Sequence, residues 1–179
     1  MLGPREGKNL KMNRRALRAC EFLLGAGIVI GHNVHHVLPN EVPILVLLAL
    51  LSVRVRNGGW SAIGLKRPSS WSRILLIALA AAALRILLGD FVIEPLGAQF
   101  WPPIQAPAGA EQITGNIKIA LLALLIVWIF AAFGEEIAYR GYLTLRAGEA
   151  GGGSTAAFWV ATVLVAVLFG YGHYYKGPT

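Results

Sequence analysis

The chain has 179 residues, 56% hydrophobic and 14% charged, with a mean hydropathy of +0.61. A soluble domain carries about 25% charged residues, so charge this sparse, set between apolar blocks, excludes an ordinary water-soluble globule and predicts an all-α, polytopic transmembrane bundle. The net charge of +7 does not imply nucleic acid, because the basic residues sit between apolar blocks rather than along one face, and no nucleic-acid partner is expected.

Arg5, Lys8, Lys11, Arg14, Arg15 and Arg18 make residues 1–18 a basic N-terminus of cytoplasmic character. The apolar segment that follows, 19–38, has no small-x-small cleavage site after it, so it reads as an uncleaved first span. Cys20 is the single cysteine, which excludes a disulfide framework and a cysteine metal cluster. At the far end of this span, HNVHH sets His32 and His36 at a spacing that can share a metal. An outer polar cap is the expected role, with metal binding or a part in catalysis as the alternatives. Pro39 and Pro43 bracket a turn before PILVLLALLSV, a short second span. WSAIGLKRPSSW, with tryptophans at both ends and Lys66 and Arg67 between, predicts an interfacial amphipathic segment. The third span starts near Trp71 and contains Arg85, expected to snorkel outwards, with pairing to a glutamate of the fourth span as the alternative. Residues 94–116 hold four prolines and no Lys or Arg, and predict an irregular non-cytoplasmic loop with Phe100 and Trp101 at the interface.

Asn116 is placed to cap a fourth helix running from Ile117 to about Arg146. GEAGGGST breaks it, and Ser154 or Thr155 can cap a fifth, AAFWVATVLVAVLFGYGHYY. The expectation is about five spans plus the interfacial segment, in three parts: the basic N-terminus 1–18, spans and loops over 19–115, and a core over 116–179. The N-terminus is expected in the cytoplasm, 54–73 and 146–154 on the same side, and 39–43 and 94–116 outside. Arginine in excess of lysine and abundant alanine point to a bacterial plasma membrane.

FGEEIAYRGY, residues 133–142, puts two glutamates and an arginine at the end of an apolar run, and an ionisable group there is a functional-site hypothesis. On a helix Glu136 and Arg140 share a face and can pair, while Glu135 is turned about 100° away and is left to serve as a general base. Tyr139, four residues after Glu135, is close enough to hydrogen-bond its carboxylate and equally able to sit at the interface. In the last span FGYGH sets Phe169 four residues before His173. Counted from Gly151 along straight antiparallel helices, Glu135 and His173 differ in height by about 9 Å. A kink or unwinding near Gly134 or at Gly151–Gly153 is therefore expected, bringing the two side chains within roughly 8 Å. Trp128, Phe158 and Trp159 are expected to pack between helices.

EEIAYR fits an E-E-x-x-x-R signature and FGYGH an F-x-x-x-H one, in order and on adjacent spans. The pair resembles the CAAX prenyl protease and bacteriocin-processing (Abi) family of intramembrane proteases, and the likeness covers roughly residues 116–178. It implies an endopeptidase hydrolysing a peptide bond of a lipidated or membrane-associated protein, with membrane lipid around it. By the resemblance Glu135 activates water, Glu136 and Arg140 form the supporting pair, and His173 holds the water or polarises the reacting carbonyl. A catalytic zinc normally takes three protein ligands; Glu135 and His173 supply two, so no metal or other cofactor is expected, zinc being the lesser alternative. Such proteins usually continue into a third motif, a histidine with Asn or Asp four residues on, and this chain reads as truncated before it. That makes a non-catalytic relative, acting in immunity or as a scaffold, the alternative.

Overall fold

The computed structural model describes residues 4–100 and 110–173. The described residues form helices and no strand: α1 Pro4–Asn33, α2 Glu41–Arg56, a 3-10 turn Trp60–Ile63, α3 Trp71–Gly97, α4 Ala110–Ile113, α5 Ile117–Ala150 and α6 Thr155–Gly172. The all-α architecture is as expected. Residues 101–109 of the proline-rich loop, Trp101 among them, lie outside the described residues.

Three helices, α3, α5 and α6, are long and apolar enough to cross a membrane, with window hydropathies of 2.2, 2.5 and 1.8. This is an integral membrane protein. The first two apolar segments do not meet the same measure. α2 has 16 residues, short of the roughly 20 that a bilayer needs, and α1 carries Arg18 and Glu21 inside its apolar part.

α1 begins well before the first apolar segment. Pro4 stands at its start, where a missing N–H costs nothing, and the basic N-terminus is helical and continuous with the apolar segment. The helix stops at Asn33 rather than 38. His36 adopts a positive φ of 54°, and the chain folds back so that the His32 ring meets the Leu38 carbonyl at 3.0 Å. Asn40 then caps α2, its side chain accepting from the Val42 amide at 2.9 Å.

The core lies where α1, α2, α5 and α6 meet, around Val29, Leu45, Ala49, Val53, Ala138, Tyr139, Leu143 and Val165. Close approach of α5 to α2 depends on Gly134, where a Cβ would come within 2.5 Å of Val42. The segment expected at the interface is anchored on the bundle through one buried side chain and is otherwise largely exposed. Ile63 is buried against α2 and α5, Trp60 Nε1 donates to the Leu50 carbonyl at 3.2 Å, and Gly141 of α5 admits the Ile63 backbone.

α3 differs from the other long helices: no residue of Trp71–Leu88 is buried. It continues past the expected boundary through a π-helical turn, Gly89–Ile93, to Gly97. The wider turn loosens the hydrogen-bond ladder just before Pro95, whose ring would crowd a regular α-helical carbonyl. Arg85 runs along its own helix, its guanidinium over Gly89. Pairing with a glutamate of α5 does not occur, in keeping with snorkelling. Trp128 and Trp159 are 64% and 69% exposed, contrary to the expected interhelical packing, whereas the Phe158 ring does pack on Gly148.

Candidate active site

α5 carries the first motif, and its ends follow the sequence. Asn116 accepts from the Ile119 amide at 3.2 Å, and Ser154 does the same for Ala157 at the start of α6. Between its α-helical ends, α5 winds as π-helix over Val127–Gly134 and Glu136–Leu143, and the Glu135 N–H bonds the Phe130 carbonyl five residues back. π-helical turns are rare and frequent at functional sites. The expected unwinding near Gly134 therefore takes the form of a widened helix around Glu135 rather than a kink.

The helical offset anticipated between the motifs is largely removed at the other end. α6 starts at Thr155, and Gly151–Ser154 form a turn in which Gly152 and Gly153 take φ of 102° and 74°. Four residues out of the helical count remove about 6 Å of rise. Phe169 consequently stands beside the motif: its ring meets Tyr139 edge-on at 4.9 Å, and the Arg140 guanidinium lies 5.5 Å from its centroid. His173 stacks on the other side of Phe169 at 4.2 Å. Because the helices run antiparallel, one turn beyond Phe169 on α6 corresponds to one turn before Tyr139 on α5. Position 173 is thus level with partly buried Glu135. His173 Nδ1 lies 2.8 Å from the Phe169 carbonyl; a carbonyl only accepts, so Nδ1 donates there.

Glu136 and Arg140 pair as expected, at 2.5 Å, but with side chains 57% and 59% exposed. They line an open groove of about 530 Å³ together with Ile63–Leu65, Phe133 and Phe158. The opposite face of the motif is buried. The Tyr139 hydroxyl donates to Glu41 Oε1 at 3.0 Å, and the same oxygen accepts from Asn33 Nδ2 at 3.0 Å, while Glu41 Oε2 faces His32 Nε2 at 3.2 Å. Glu41 is 5% exposed. Asn33 also sits beside Gly172, so α1, α2, α5 and α6 converge here. With both ring nitrogens of His32 engaged, the His32–His36 metal pair does not form. Among the described residues no group of three or more His, Cys, Asp or Glu could hold a metal.

A second polar cluster lies at the other end of α5. Arg146 is fully buried, Nε on Glu21 at 2.5 Å and Nη1 on Glu149 at 2.7 Å; Nη1 also donates to Asn57 at 2.9 Å and Nη2 to Ser52 at 2.8 Å. Arg56 pairs with Glu21, and Arg18 with Glu149 at 2.9 Å. Neither this network nor Glu41 was anticipated from the sequence. The available signal was one acid, Glu21, and one base, Arg146, each within or at the end of an apolar segment: intramembrane charges of opposite sign seek one another.

Two adjacent apolar helices thus carry a Glu-Glu…Arg pair on one and a Phe…His pair on the other, meeting through Phe169. Residues 117–179 match the family described as type II CAAX prenyl endopeptidase Rce1-like, bearing out the resemblance carried by EEIAYR and FGYGH. No curated protein and no solved structure matches the chain.

Proposed function

We propose that this protein is an intramembrane endopeptidase that hydrolyses a peptide bond of a lipidated or membrane-associated protein. Glu135 takes a proton from water as the water oxygen adds to the scissile carbonyl, and returns it to the departing amine as the C–N bond breaks. His173, with Nδ1 donating to the Phe169 carbonyl, presents Nε2 to accept from the water or, as imidazolium, to donate to the carbonyl oxygen. The Glu136–Arg140 pair keeps the guanidinium against Phe169, and Tyr139, anchored on Glu41, backs the same ring. The Lys/Arg distribution supports a cytoplasmic N-terminus in a bacterial plasma membrane. The observation that carries this reading is the Tyr139–Phe169–His173 stack, which brings the two motifs into register.

The test is cleavage of a farnesylated CAAX reporter peptide by membranes containing the full chain. Glu135→Gln and His173→Ala should each lower the rate by about 10²–10⁴-fold, the usual worth of a general base, at unchanged protein level. Cysteines at both positions should be joined by a short bifunctional reagent. Full activity in Glu135→Gln, or no cleavage by wild type together with no cross-link, refutes the proposal and leaves a non-catalytic relative.

A further inference from the structure

The end of the bundle away from the catalytic motifs carries more positive charge than its ion pairs consume. Arg14, Arg15, Arg18, Arg56 and Arg146 gather there against Glu21 and Glu149. A cleft of about 310 Å³ opens between α1 and α2, lined by Arg14, Arg18 and Arg56 with Leu17 and Val55, and among the described residues no acid lines it. Arg18 and Arg56 reach their glutamates through Nε and are themselves pinned at 27% and 36% exposure. The guanidinium fork still has Nη groups for a second, bidentate acceptor. Among the described residues Arg14 enters no ion pair. Leu17 and Val55 are 39% and 82% exposed beside these cations, so the cleft is cationic with an apolar flank.

Its depth is fixed by what surrounds it. Asn57, at the end of α2, donates to Glu149 at the end of α5 at 3.0 Å, and Arg15 lies over Gly152 of the α5–α6 turn. The exposed rings of Trp60 and Trp71 flank the segment that follows α2, as aromatics do at a membrane surface. We infer that the Arg14–Arg18–Arg56 cleft binds the phosphodiester of an acidic phospholipid, with Leu17 and Val55 against the start of its acyl chains. Basic pockets between helices on the cytoplasmic side are suited to such headgroups. The site is independent of the proteolytic reading, since it shares no residue with the motifs.

The full-length protein in neutral detergent, titrated during thermal unfolding with short-chain phosphatidylglycerol, phosphatidylcholine or inorganic phosphate, tests this. Phosphatidylglycerol at about a hundred times its dissociation constant should raise the midpoint by roughly 5–10 °C for a chain of this size, and phosphatidylcholine should not. Arg14→Gln, which breaks no ion pair, should keep the lipid-free midpoint and lose at least half the shift; Arg14→Glu should lose nearly all of it. An equal shift with inorganic phosphate reassigns the cleft to a free anion and overturns the lipid. An equal shift with phosphatidylcholine, or an undiminished one in both Arg14 variants, overturns the site.

Discussion

Replacing Arg146 with methionine tests the polar network at the base of the motif helix. The side chain has no exposed surface and holds Glu21, Glu149, Asn57 and Ser52 at 2.5–2.9 Å. Removing one partner of a buried ion pair costs about 3–5 kcal/mol, because the other charge is stranded. Here the stranded carboxylates keep Arg56 and Arg18, which moderates the loss, but the Asn57 and Ser52 oxygens each lose the Arg146 donor, worth about 1 kcal/mol apiece. These effects offset, and the expected cost stays at about 3–5 kcal/mol. At about 2–4 °C per kcal/mol for a chain of this length, the unfolding midpoint should fall by about 6–20 °C. The assay is thermal unfolding of detergent-solubilised protein by circular dichroism. Arg146→Lys should recover only part, since one ammonium cannot reproduce the guanidinium fork. Arg146→Met combined with Glu21→Gln should be more stable than the sum of the single changes predicts. A midpoint for Arg146→Met within about 2 °C of wild type would refute the reasoning, because a buried charge cannot be lost so lightly.

The Glu136–Arg140 pair is more than half exposed, so Glu136→Gln and Arg140→Gln should each change stability by no more than about 1 kcal/mol; loss of folded protein in either, on a fluorescence-detected gel-filtration trace, would contradict that exposure. Tyr139→Phe removes one of the donors to buried Glu41 while Asn33 and His32 remain, and should cost about 1–3 kcal/mol, read as a lowered unfolding midpoint. Orientation is testable by thiol labelling on intact cells. Cys20 and a cysteine introduced at 60–70 should react only with a permeant reagent, and one at 100–110 with an impermeant reagent; impermeant labelling of 60–70 would invert the topology.

The C-terminal helices were readable because their signals are local. Asn116 and Ser154 mark helix starts by chemistry that needs no neighbours, and the two motifs announce themselves as charge and histidine in apolar runs. What escaped was set by tertiary partners. Glu41 looked like part of a proline-bracketed turn, although its partners lie at 33 and 139. Trp128 and Trp159 were read as interior on hydrophobicity alone, which does not distinguish a helix neighbour from lipid. An unwinding near Gly134 was expected, but the π-helical form of α5 was not legible, because π- and α-helix draw on the same residues, and spacing alone made Glu136–Arg140 an ordinary turn-apart pair.

The match to the protease family covers residues 117–179, yet Arg146 within it is satisfied by side chains at 21, 52 and 57, and Tyr139 by one at 41. The edge of sequence similarity is therefore not an edge of folding. Excised on its own, the matched segment would keep Glu149 beside Arg146 but lose the partners at 21, 52 and 57, and Tyr139 would lose Glu41. Glu21, Glu41, Ser52 and Asn57 escort the buried polar groups of the recognisable part. Grafting the two motifs onto another scaffold would have to carry that escort along.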